Sequence, residues 1–147
     1  MSGIYDPKHY DVHNSVAYLM GRVRVKLHEA VDRELAQYDI TTAQWVVMLY
    51  VANGMADKAS EICALQSYDP GAMTRMIDRL EQKGFIRRVP SPSDRRVVNL
   101  ELTPEGKAAY PKILAAGIGV LNRFLRGFSK TEVHQMKDFL KRMLANA

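Results

Sequence analysis

The sequence predicts a mostly α-helical fold with one small β-hairpin, on three observations. Apolar residues recur at spacings of three and four through most of the chain, the period of helices with one buried face. Helix-start signals stand at Thr41 with Gln44, at Asp69-Pro70 and at Ser129 with Glu132, and stop signals at Asn53-Gly54 and Gly84. Strand-like segments are confined to Phe85–Val89 and Val97–Leu102, joined by the turn cluster Pro90-Ser91-Pro92-Ser93-Asp94. The expected order is α, α, α, α, β, β, α, α.

Each element has its own local cause. Val16, Leu19, Met20, Val23, Leu27, Val31 and Leu35 define a long amphipathic helix over about 14–37. Thr41 and Gln44 form a capping box and Ile40 with Trp45 the matching hydrophobic staple, so a second helix begins at Thr42. A short helix over about Ala59–Gln66 leads through Ser67-Tyr68 into a helix that starts at Pro70, a helix-turn-helix candidate. Thr103 with Pro104 opens another long helix, kept in period by Ile113, Leu114, Ile118, Leu121 and Leu125, with a kink expected at Pro111. Ser129 with Glu132, stapled by Phe128 and Val133, opens the last helix, whose apolar face is Val133, Met136, Phe139, Leu140 and Met143.

Bulk properties narrow the classes. A chain of 147 residues, 47% apolar and 25% charged, has the composition of one soluble globular domain rather than a disordered or collagen-like chain. No apolar run approaches the roughly 20 residues of a membrane span. The first residues show no basic region followed by an apolar stretch, and the single cysteine, Cys63, fits a reducing compartment, so a cytoplasmic location is expected. The net charge of +5 permits a polyanionic partner. Residues 66–100 hold seven Arg/Lys against four Asp/Glu, and residues 105–147 hold eight against three. The carboxy-terminal part is therefore the more basic, and charge alone does not locate a nucleic-acid face.

The run from Asp69 to Gly106 does. Asp69 suits a helix N-cap, Pro70 the first helical position and Gly84 the left-handed residue past the end. Met73, Met76, Ile77 and Leu80 share one face, leaving Thr74, Arg75 and Arg79 outward. A short helix with a polar, basic outer face, followed by a basic hairpin, has the geometry to enter a major groove and reach an adjacent groove.

These residues, with Asp94-Arg95-Arg96-Val97, Leu102-Thr103-Pro104-Glu105-Gly106 and Ser60-Glu61-Ile62-Cys63, appear in an order and spacing that resembles the MarR family of winged helix-turn-helix transcriptional regulators. The resemblance spans nearly the whole chain. It implies a single domain, 1–147, in which residues 39–103 form the winged helix-turn-helix lobe and residues 1–38 and 104–147 form dimerisation helices. It implies a homodimer on a pseudo-palindromic double-stranded DNA operator, acting as a repressor. Ser67, Gly71, Thr74, Arg75, Arg79, Ser93, Arg95 and Arg96 would be the DNA-binding residues, with Arg95 in a minor groove and Asp94 orienting an arginine such as Arg96. Gly71-Ala72 stands where relatives more often have small hydroxyl residues, so contacts there would come from backbone amides.

The resemblance also implies an effector, often a small aromatic carboxylate, between the dimerisation helices and the DNA lobe. Arg22 offers a guanidinium fork for such a group, or else an intersubunit salt bridge. Trp45, Met48 and His13 are the accompanying candidates, although Trp45, as the staple to Ile40, reads first as core. A second DNA-binding reading has no effector at all. Strand alternation points only one of Arg87 and Arg88 toward nucleic acid. His9 and His13 have the spacing of two metal ligands, but no acidic or cysteine cluster completes a site, and no metal or cofactor is expected. Cys63, among Ile62, Ala64 and Leu65, reads as a packing thiol against the alternative of a redox sensor. No nucleophile elbow, phosphate loop or zinc spacing supports an enzyme.

Overall fold

A computed structural model describes residues 3–147. Two short 3-10 turns, Pro7–His9 and Val12–Asn14, lead into helix α1 (Val16–Leu35). Then follow α2 (Thr42–Ala52), α3 (Ala59–Gln66), α4 (Pro70–Gln82), the antiparallel strands β1 (Ile86–Pro90) and β2 (Val98–Leu102), α5 (Pro104–Phe124) and α6 (Lys130–Ala145). The fold is mostly helical with a two-stranded wing, as the sequence predicts. Among the described residues no helix is long and apolar enough to cross a membrane.

Caps set the boundaries. The Ser15 hydroxyl accepts from Tyr18 N–H and starts α1 later than periodicity alone suggests, and residues 36–38 tighten into a 3-10 turn before left-handed Asp39. Both predicted capping boxes form: Thr41 with Gln44, and Ser129 with Glu132. At the end of α4, Phe85 N–H donates to Leu80 C=O and Gly84 N–H to Glu81 C=O, with Gly84 at φ +76°, a Schellman motif. Phe85 therefore closes the helix and β1 begins at Ile86. Val97 N–H is likewise used by Asp94 C=O inside the turn, so β2 begins at Val98. α5 continues without a break through Pro111, which is exposed.

One core joins the helices to the wing. Val31 and Leu35 of α1, Trp45, Val47 and Met48 of α2, Ile62 of α3, Met73, Ile77 and Leu80 of α4, Leu100 and Leu102 of β2, and Ile113 and Val120 of α5 are buried together. Gly106 lets α5 start flush against the wing, since a Cβ there would lie 2.0 Å from the Phe85 carbonyl oxygen. The lower half of α1 and the middle of α5 thus belong to the same core as the helix-turn-helix.

The remaining apolar stripes find no cover among the described residues. Val16, Leu19, Met20 and Val23 of α1 are exposed, and so are Ile118, Leu121 and Phe124 of α5. In α6 no residue is buried, and Phe139 and Leu144 are 58% and 74% exposed. A single periodic stripe along α1 has two fates, buried from Leu27 onward and open before it.

Candidate nucleic-acid interface

The helix-turn-helix is built by a sharp connection. Ser67 adopts φ +53° at the end of α3, and Asp69 caps α4 by accepting from Ala72 N–H at 3.0 Å. Met73, Ile77 and Leu80 anchor α4 in the core, which turns Gly71, Thr74, Arg75, Asp78 and Arg79 outward. The Thr74 hydroxyl donates to Pro70 C=O at 3.0 Å, leaving its oxygen lone pairs outward. Gly71 and Arg75 are exposed at the leading end of the helix. Arg75 forms no salt bridge among the described residues.

Arg79, one turn further on, is placed differently. It is exposed but lines a cleft of about 410 Å³ with Asp32, Asp39, Thr41, Gln44 and Lys83. In that cleft Lys83 Nζ donates to Gln44 Oε1 at 3.2 Å and pairs with Asp39 at 3.4 Å. Arg79 therefore stands between the exposed front of α4 and its junction with α1 and α2.

The wing tip is organised by Asp94. Its Oδ1 accepts from the Arg96 N–H at 3.0 Å and from Arg96 Nε at 3.3 Å, the pairing expected of it from sequence. Ser91 and Ser93 hydroxyls lie 3.1 Å apart and Ser91 N–H donates to Val97 C=O, closing the turn. With Arg96 held, Arg95 is exposed and makes no salt bridge among the described residues. Ser93 and Ser67 are exposed as well.

Arg87 and Arg88, left open by alternation, both turn to carboxylates. Arg87 sits opposite Glu101 in the strand register and donates to it at 2.9 Å. Arg88 reaches α4, where it pairs with Asp78 at 2.7 Å and also with Glu81. Sequence reading missed these partners, although Asp78 and Glu81, three apart on one helix, were the available signal.

The four effector candidates do not converge. Trp45 and Met48 are 6% and 0% exposed in the core, with Gly117 of α5 pressed against the indole. Arg22 and His13 are exposed, and His13 packs edge-on against Tyr18, 5.0 Å between ring centres. A cleft of about 380 Å³ does open between α1, α2 and the end of α3, lined by Arg24, His28, Val46, Leu65, Gln66, Ser67 and Tyr68. None of the four lines it; Arg24, two residues after Arg22, does. Burial pushes the Tyr68 phenol above its ordinary value, with Arg24 opposing and Tyr50 reinforcing.

His9 and His13 sit on separate 3-10 turns rather than one helical face, and His9 Nδ1 lies 2.6 Å from Asp6. Cys63 is half-buried beside the core.

The family profile described as MarR family matches residues 40–98, the whole of the helix-turn-helix and most of the wing. The multiple antibiotic resistance protein MarR of Salmonella typhimurium is 32% identical over 139 residues, covering 91% of this chain and 96% of that protein. The HTH-type transcriptional repressor MdtR of Bacillus subtilis is 31% identical over 125 residues, covering 85% of this chain and 78% of that protein. Among solved structures, a mutant MarR from E. coli complexed with operator DNA superposes with a TM-score of 0.79 at 29% identity, covering 92% of this chain and 99% of that one. Sequence, fold and the order of the α4 and wing residues agree: the chain belongs to the MarR family of winged helix-turn-helix transcriptional regulators.

Proposed function

We propose that this protein is a homodimeric repressor of transcription that binds a pseudo-palindromic operator in double-stranded DNA. The observation that supports it most is that Arg75 at the front of α4 and Arg95 at the wing tip are exposed and form no salt bridge among the described residues, while Arg87, Arg88 and Arg96 of the wing are paired. Gly71, Thr74 and Arg75 would enter the major groove, Arg95 the flanking minor groove, and Ser67, Arg79, Ser93 and Arg96 the adjoining backbone. A double-stranded DNA partner supports a cytoplasmic location.

The uncovered apolar surface supports the dimer. The exposed stripes lie on α1, α5 and α6, towards the two chain ends, and large exposed apolar patches mark protein–protein interaction sites. A two-fold partner covers the same patch on both chains and sets two α4 helices about one turn of DNA, roughly 34 Å, apart.

A small aromatic carboxylate is the proposed releasing ligand. The cleft carrying Arg24, His28 and Tyr68 suits it, with a guanidinium for the carboxylate and the Val46 and Leu65 side chains for the ring. Arg22 stands on the same helix at the site first expected for that role.

Selection of bound fragments from a random DNA pool, followed by gel-shift titration with and without benzoate or cinnamate, tests all three parts. Expected are an inverted-repeat site, two chains per site and weaker binding with the acid present. Absence of binding to any fragment at low salt, where phosphate contacts are strongest, would overturn the DNA reading. An unchanged ligand response in Arg24→Ala and in Arg22→Ala would overturn the ligand site, and release by no aromatic acid would favour a regulator without an effector.

A further inference from the structure

Arg88 points inward. Strand alternation puts it on the face of Ile86, which is 1% exposed, and the register sets it opposite Leu100, which is 2% exposed. A guanidinium on that face needs charged partners, because burying it unpaired is costly. It has two, Asp78 at 2.7 Å through Nη2 and Glu81 through Nη1, and its side chain is 32% exposed. The planar fork spans two carboxylates on neighbouring turns of α4, a geometry that a point charge cannot reproduce.

The link between α4 and β1 is only Lys83, Gly84 and Phe85, with Gly84 at φ +76°. The Schellman turn supplies one anchor between helix and wing. Ile86, Leu100 and Leu102 in the core and the Leu100 N–H bond to Asp57 C=O hold the base of the wing, and the Arg88 fork adds a charged tie from β1 directly to α4. Together they fix the angle at which the wing leaves α4, and so the offset between Arg75 on the helix and Arg95 at the wing tip.

We infer that Arg88 is a positioning residue for DNA binding. It contacts no nucleic acid; it holds the wing at the angle that lets Arg75 and Arg95 engage adjacent grooves together. This rests on the operator-binding reading above. Asp78 and Glu81, though negative and close to the DNA side, support binding for the same reason.

Four proteins tested on the selected operator decide it: wild type, Arg88→Ala, Arg88→Lys, and Asp78→Asn combined with Glu81→Gln. Affinity is measured over a range of salt, with hydroxyl-radical footprints and the folded fraction by circular dichroism. All three variants are expected to bind roughly tenfold more weakly, the middle of the range for coupled residues. Protection is lost at the wing-side minor groove but kept on the sugars flanking the α4 contact, and the salt slope falls by the one contact that Arg95→Ala removes. Simple loss of folding would erase both protections together.

A phosphate contact by Arg88 predicts the reverse pattern. Arg88→Ala would then lower the salt slope while the wing-side protection persists, and the carboxamide pair would bind as well as wild type or better, since two repelling charges are gone. Either result overturns the inference while leaving the operator reading intact. Wild-type protein that binds no fragment overturns both.

Discussion

Gly117 of α5 lies directly against the Trp45 indole of α2: a methyl group at Gly117 would sit 2.3 Å from Cη2 and 2.4 Å from Cζ2. That close approach lets α5 pack flush on the DNA-binding lobe, and Trp45 is 6% exposed as a result. Gly117→Ala is expected to overpack this contact and lower stability by about 1–3 kcal/mol in a urea titration. Gly119→Ala, in the same helix with nothing within 4 Å of its Cβ position, is expected to be neutral or stabilising. Equal effects at both positions would contradict the contact.

Asp32 ties α1 to the start of α2. Its Oδ1 accepts from the Thr42 N–H at 2.6 Å and from the Thr42 hydroxyl at 2.7 Å, while Thr42 is 6% exposed. Removing the acceptor leaves the Thr42 amide without a partner at a helix N-terminus and its hydroxyl with only the 3.3 Å bond to His28 C=O. Asp32→Ala should therefore cost about 1–3 kcal/mol. Asp32→Asn, which keeps a carbonyl oxygen, should cost less. Chemical denaturation reads both.

Arg75 and Arg95 are expected to divide the labour of binding. Arg75→Ala should lose about 1–3 kcal/mol on the operator and flatten base preference at the position it faces. Arg95→Ala should weaken binding more evenly across sequences and reduce the salt slope by about one. Matching losses on every sequence for both variants would contradict the division.

Tyr68 gives a pH-dependent signature. Burial lifts its phenol above the ordinary 10.0, so the folded chain holds the proton more tightly than the unfolded chain does. The stabilisation is complete below the unfolded value and is lost as pH rises through the folded one. Phenolate absorbance should show one of the seven tyrosines ionising late. Tyr68→Phe should remove that step, and Arg24→Ala should delay it further because the guanidinium favours the anion. A titration curve whose upper end is unchanged in Tyr68→Phe would refute the assignment.

Much of the fold was legible in the sequence because its signals act over a few residues. The capping boxes at Thr41 and Ser129, the Asp69-Pro70 start and left-handed Gly84 each place a boundary through bonds made within a turn. The pairing of Asp94 with Arg96, which the family resemblance implies, is likewise local, made between residues two apart. The exposure of Arg75 followed from the helical period that buries Met73, Ile77 and Leu80.

What the sequence by itself determined was the order of elements, their caps and the outward residues of α4. Only the tertiary structure decided which part of the α1 stripe is covered, that Arg79 borders the cleft with Asp32 and Lys83, and that Trp45 packs on Gly117. It also decided that Arg88 belongs to Asp78 and Glu81 and Arg87 to Glu101. Periodicity tells which face a side chain occupies, but not which distant segment lies across from it. Partners 7 to 14 residues away in sequence, or a helix away, meet only after the core has set the angle between elements.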